Sequence, residues 1–491
     1  MHARLEFLKS VPLAVLLTVA ALPIFFLAGR FAVLSTVDLS SLAPTLAFAV
    51  TGAAVSAIVG GALGAAAGTL EVPGRRWAVG VSAALIAAPP AFWWIGLTRL
   101  PGGFGSLSGS LSGSGVAGLV LAPVTLLLVL AAAREIPTNA YEAARISLGP
   151  TRRIVFVLFP LLRPAVIAGF LLTTILLIGE SEIPFLFGFR TSMTDAITTF
   201  SQTFDAGRIV PVILPLVVTV LILGLLMVRP LFTVILPASR GDRGVVRKPA
   251  GAIIGAGMLV LPVLVALSLG GFAWAAISGA EGAWRRLPLG MSTVTVSIAE
   301  PVTCALASVG LILLTAYPAR RSPAIQPLTV IGLLLFCVPA AVVAIGWIGI
   351  GQAFGGVSVA PAVAYVSRTL GLPALGFLIA YSRVPRSLDD AARLVSMSPF
   401  RRAWSLVLPL LAPSLAATAA LTAALIFADR DVASLLLAPG SSRLMLNFYL
   451  LSANAPSAVV GVTALIVFAA GAAVIGLAAA GPHVLRLRRR E

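Results

Sequence analysis

PVILPLVVTVLILGLLMV, residues 211–228, runs eighteen residues without a charge. A bilayer core about 30 Å thick needs roughly 20 apolar residues per helix, so this stretch is long enough to form the body of a spanning helix. A strand crossing the same layer would instead alternate apolar and polar positions over about ten residues. No such alternation occurs here, and similar apolar runs recur along the chain, LVLAPVTLLLVLAAA at 119–133 among them. They account for a composition that is 59% hydrophobic and 10% charged over 491 residues, where soluble domains carry about 25% charged residues. The fold class is an all-α polytopic membrane protein.

Hydropathy divides the chain into about twelve spans, near 11–31, 45–69, 77–98, 116–133, 164–188, 209–236, 251–275, 291–317, 327–350, 359–381, 411–437 and 457–480. Placing both termini inside puts 24 of the 34 basic residues in cytoplasmic segments. The reverse orientation inverts that bias, so the positive-inside rule predicts N-in and C-in. The net charge of +17 is spread over these short loops, which points to membrane topology and not to nucleic acid. The apolar run after Met1–Lys9 continues to Phe31 without a small-x-small cleavage site, so a retained first span is expected. Residues 101–115, PGGFGSLSGSLSGSG, read as a flexible external connector. Arg240 to Pro249 form a basic linker that separates residues 1–245 from 246–491, each expected to hold six spans.

The two parts repeat one another. Residues 133–145 read AREIPTNAYEAAR and residues 381–393 read YSRVPRSLDDAAR. FPLLRPAV (159–166) answers LPLLAPSL (408–415), displaced by one further residue. Glu180 and Glu182 follow Pro160 at the spacing with which Asp429 and Asp431 follow Pro409. Each copy reads as an amphipathic helical hairpin outside the membrane. Pro137 or Pro385 starts a helix, Glu142 or Asp390 sits in its early turns where the dipole favours an anion, and the paired alanines allow close packing. After the turn, RRIVFVLFP and RRAWSLVLP mix arginines with apolar residues, and a proline is expected to end the segment before the next span. Loop arginines alone only orient a chain. Two matched hairpins, each before a half's fifth span, favour a docking device.

These residues resemble the EAA loop of ABC importer permeases, subunits with the type I permease fold. In the first copy, Glu142, Ala143 and Ala144 keep the motif, with Gly149 one place late and Pro160 one place early. In the second, Asp390 replaces the glutamate before Ala391 and Ala392, Ser396 replaces the glycine, and Pro409 keeps its spacing. The resemblance implies that loops 134–163 and 382–410 each dock one of two ABC ATPase subunits. ATP and Mg would lie on those partners, with no cofactor bound by this chain. It further implies an extracytoplasmic solute-binding protein and a multi-pass place in the bacterial inner membrane. A fused pair of halves is similar to iron(III) and thiamine permeases, as are the stretches 364–393 and 429–460. Iron(III) is therefore the first solute implied, with thiamine, polyamine or a phosphonate as alternatives.

Intramembrane ionisable residues are costly and mark function by default. Glu180, Glu182, Glu300, Asp429 and Asp431 fall within or at the ends of spans, with Arg368 and Arg430 at similar depth. Glu180, Glu182, Arg368, Asp429 and Asp431 are thus candidates for the translocation path. The plainer reading is mutual neutralisation, with Arg430 serving both flanking aspartates and Arg368 pairing with a glutamate. Pro89, Pro90, Pro184 and Pro301 are expected to kink spans. Trp93, Trp94, Trp274 and Trp284 read as an interfacial belt. Cys304 and Cys337 read as small core residues. Lys9 and Lys248 are the only lysines, and neither completes the Gly-Lys-Ser/Thr of a P-loop. The chain is therefore expected not to be the ATPase. A competing reading is an ion-coupled secondary transporter, which also shows paired six-span repeats but needs no paired inside hairpins.

Overall fold

Gly60, Gly64 and Gly68 recur every fourth residue and so share one face of a helix. In a bilayer, helices associate through small-residue packing and hydrogen bonds between helices. The computed structural model places this face directly on a neighbour. It describes residues 8–31, 37–103, 107–136, 146, 148–235, 248–249, 251–278, 287, 289–384, 387, 401, 403–438 and 440–487. Among these the regular elements are helices, apart from a two-residue parallel pairing of Leu70–Glu71 with Lys248–Pro249. Among the described residues nine helices are long and apolar enough to cross a membrane, and up to twelve spans result if each of three bent pairs counts as one. The protein is a polytopic helical membrane protein.

Two of the bends are sharp and lie 250 residues apart in sequence. Arg75–Ala87 turns by 102° into Pro90–Thr98, and Ile325–Cys337 turns by 93° into Ala340–Ala353. A proline disfavours helical geometry in the residue before it. Ala88, before Pro89, is extended (φ −142°, ψ 153°), and Val338, before Pro339, is extended as well (φ −66°, ψ 132°). The kink expected at Pro89 and Pro90 is present. Pro301, by contrast, lies inside the uninterrupted helix Met291–Ala319.

Packing divides the chain into two units, each drawn from separated stretches. One comprises Phe31–Leu287 with Phe448–Ile466. In it Leu42–Thr69 lies against Ala122–Arg134 and Phe159–Ile178. A Cβ on Gly60 would come 2.1 Å from the Ala122 carbonyl, on Gly64 2.6 Å from that of Leu126, and on Gly68 2.2 Å from the Ala133 Cβ. One turn before Gly60, Ser56 Oγ lies 3.1 Å from Thr125 Oγ1 and 3.2 Å from Thr173 Oγ1. Val260–Ser278 packs on Pro90–Thr98, where a Cβ on Gly96 would sit 2.5 Å from the Ser268 carbonyl.

Trp93 and Trp94 form no interfacial belt. Both are buried in this unit: Trp93 meets Phe92 edge-on at 5.3 Å, and Trp94 lies 5.1 Å from the Phe187 ring. Half-exposed Trp274 fits that expectation better, and Trp284 lies outside the described residues.

The other unit comprises Pro288–Asn447 with Met1–Arg30 and Val467–Glu491. Here Met291–Ala319 lies against Leu408–Ala428, Pro361–Thr369 and Gly371–Ser382. The N-terminal helix Val11–Phe31 reaches the second bent pair, where a Cβ on Gly346 would come 2.6 Å from the Pro23 carbonyl. Gly346 follows Gly96 by the same 250 residues.

Local details recur at similar offsets. The Ser192 amide donates to Thr45 Oγ1 (2.7 Å) and the Leu444 amide to Ser297 Oγ (2.9 Å), partners 147 residues apart in both cases. At one helix crossing a Cβ on Gly169 would lie 2.6 Å from Thr125 Oγ1. At its counterpart the residues are exchanged, with Gly376 facing Thr418.

The glycine face gives a direct expectation. Gly60→Ala should cost about 1–3 kcal/mol by overpacking, read as a lower thermal midpoint of the detergent-solubilised protein. Neighbouring Gly61→Ala meets its nearest atom at 3.7 Å and should behave like the parent. Equal midpoints for the two variants would remove the packing role assigned to Gly60.

Candidate functional site

Two long apolar helices end where the acids stand. Phe159–Ile178 stops before Gly179, and Glu182–Phe187 begins a new short helix. Leu408–Ala428 stops before Asp429, and Asp431–Leu436 follows. A helix start leaves backbone N–H groups without intrahelical acceptors, and a bilayer supplies no water to replace them. Glu180 Oε1 accepts from the amides of Glu182 (3.0 Å) and Ile183 (3.3 Å). Asp429 Oδ1 accepts from the amide of Val432 (2.9 Å). The first task of both acids is therefore to cap a short helix that follows a long apolar one. Glu182 is buried in the turn that Glu180 caps.

Paired charges gather around Asp429. Asp429 Oδ2 lies 3.1 Å from Arg368 Nη1, with side chains 6% and 16% exposed. Arg368 Nε donates to the Val338 carbonyl at 3.2 Å, and its guanidinium lies 5.5 Å from the Phe336 ring centre. Arg443 Nε lies 2.6 Å from Glu300 Oε2. Arg430 reaches Asp431 at 3.5 Å. Arg368 thus pairs with an aspartate, where a glutamate was expected. A cavity of ≈ 20 Å³ separates the pairs, lined by Ser297, Glu300, Tyr365, Asp429 and Arg443 among others. That volume suits about one water molecule.

Sequence reading passed over Arg443 and Tyr365. Arg443 stands in a stretch that reads as an external loop, so it carries no intramembrane signal. Its one clue is Glu300, an acid deep in an apolar helix that needs a cation. Tyr365, 4% exposed, lines the cavity between the two pairs.

The bend at Ala88 is handled differently from the bend at Val338. At the former, Trp93 Nε1 donates to the carbonyls of Leu85 (3.0 Å) and Ala88 (3.3 Å). Ala88 and Val338 are the equivalent pre-proline residues of the two bends. An indole satisfies one and a guanidinium the other.

Of the expected docking residues, Glu142, Ala143, Ala144, Asp390, Ala391, Ala392 and Ser396 lie outside the described residues. Gly149 is exposed and its Cβ position is open, so neither a positive φ nor close packing calls for glycine there. Pro160 and Pro409 do not end their segments. Each follows a π-helical turn, Ile154–Leu158 or Ala403–Val407, that runs straight on into the span. A proline removes the N–H that would close an α turn and crowds the carbonyl four residues back, which the wider π turn relieves. Among the described residues no three of His, Cys, Asp and Glu come together to hold a metal ion.

Residues 307–481 match the family model described as the inner membrane component of binding-protein-dependent transport systems. That stretch is a little over a third of the chain and indicates a permease component of an ABC importer. Within it lie Arg368, Pro409, Asp429 and Arg443, while Ser297 and Glu300 precede it. No curated protein matches the chain. No solved structure matches it either.

Proposed function

We propose that this chain is the membrane-spanning subunit of an ABC importer, built as two fused six-helix permease halves with both termini in the cytoplasm. The family match over 307–481 carries this reading. The recurrence of bends, helix breaks and hydrogen bonds at offsets near 250 supports extending it to the first half. Two ATPase subunits dock on the loops 134–163 and 382–410, close on ATP and drive alternating access. A binding protein delivers the solute at the outer face of a bacterial inner membrane. Iron(III) is the first candidate solute, followed by thiamine, polyamine and phosphonate.

Co-purification from native membranes tests the assignment. ATPase subunits should accompany the chain, and removal of residues 134–163 should abolish both their association and uptake. Uptake by a chain that brings down no ATPase would refute the reading in favour of ion coupling. Glu142→Lys and Asp390→Lys should each weaken ATPase association while leaving membrane insertion intact, measured by pull-down and by membrane fractionation. Undiminished association in both variants would overturn the docking assignment.

A further inference from the structure

The second half contains a bend at Val338 and a helix break at Asp429. One side chain spans both. Arg368 gives its Nε to the Val338 carbonyl and its Nη1 to Asp429, while Asp429 uses its other oxygen to cap Asp431–Leu436. A guanidinium suits this task because its donors form a rigid planar fork that a lysine does not reproduce. We propose that Arg368 is a positioning residue that clasps the bend and the break of the second half together. The segment Asp429–Leu436 then moves only when a buried ion pair opens.

The bend of the first half is held by a different kind of group. Its bend carbonyl is held by Trp93, a neutral donor on the next helix arm, and the residue 250 places before Arg368 is Gly118. A Cβ there would come 2.1 Å from the Gly52 carbonyl, so no arginine fits without moving the helices apart. The two bend carbonyls are therefore held differently, by an indole in the first half and by a guanidinium paired with a carboxylate in the second. As a statement about transport this rests on the permease reading above, because a clasp matters to function only if the segment it holds moves.

Cys337, 3% exposed and next to Val338, is a native reporter of the clasp. With Cys304 replaced by alanine, a water-soluble thiol reagent should label Cys337 slowly in the otherwise unaltered chain in membranes. Arg368→Gln or Asp429→Asn should raise the labelling rate by about tenfold or more, because a buried charge loses its partner and local opening is favoured. Arg368→Lys should fall between, and Arg190→Gln, which changes a surface pair, should have no effect. Unchanged labelling of Cys337 in both Arg368→Gln and Asp429→Asn overturns the clasp. So does an equal rise at a cysteine introduced at buried Ala53, which would signal general unfolding. Reconstituted with ATPase subunits and binding protein, Arg368→Gln should hydrolyse ATP without matching uptake. If uptake by the unaltered chain proves independent of ATP, the permease reading fails, while the labelling result still decides the clasp.

Discussion

Arg443→Met is expected to destabilise the protein by up to about 3–5 kcal/mol, because it leaves a largely buried carboxylate without its cation. Glu300 projects from an apolar helix with its side chain 15% exposed, and Arg443 is its 2.6 Å partner. The attraction between the two is strong at that distance, yet desolvation offsets much of it, so the pair adds little net stability over well-packed apolar groups. The penalty appears only when one partner goes. The double variant Arg443→Met, Glu300→Met should consequently recover most of the loss. Thermal midpoints of the solubilised protein, combined in a double-mutant cycle, read the coupling between the two sites. Additive losses would mean that each residue acts alone and that the ion pair is incidental. For comparison, Arg190→Gln breaks a pair whose arginine is 84% exposed and should stay within about 1 kcal/mol.

Length and apolarity are properties of single segments, and where they govern, the sequence is easily read. The long helices Val11–Phe31, Leu42–Thr69, Ala206–Ile235 and Met291–Ala319 all fall on expected spans. The bends were half legible. Pro89 follows an apolar run as Pro339 does, but only the Pro-Pro pair drew notice, and neither local sequence states whether a proline kinks or turns a helix. Pro301 shows the ambiguity, since a neighbouring helix can absorb the missing hydrogen bond without a break. The matched acids Glu180 and Asp429 were visible through their spacing, but their capping role needed the helix break, which a span of 164–188 or 411–437 conceals. Partner choice was the least legible. Arg368 and Asp429 are 61 residues apart, Glu300 and Arg443 are 143 apart, and only the packed helices bring them together. Trp93 failed for a related reason: an indole near a span end reads as interfacial until a carbonyl freed by the bend claims its N–H.

That carbonyl makes Trp93 the second large-effect site. Trp93→Ala should cost about 3–5 kcal/mol, the range for deleting a buried aromatic ring, since Trp93 is fully buried beside Phe92. Trp93→Phe separates the two contributions within that loss. It keeps most of the apolar volume but removes the donor to Leu85 and Ala88, leaving bend carbonyls that bilayer lipid cannot satisfy. A buried group stripped of its hydrogen bond costs about 1–3 kcal/mol, so the phenylalanine variant should lie between parent and alanine in thermal midpoint. Trp77→Phe, at a position 65% exposed, provides the baseline for losing an indole that no bend requires. If Trp93→Phe melts no lower than Trp77→Phe, the indole fills space only. The 102° bend would then be held by Pro89 and packing, without a hydrogen bond of the kind that Arg368 supplies at Val338.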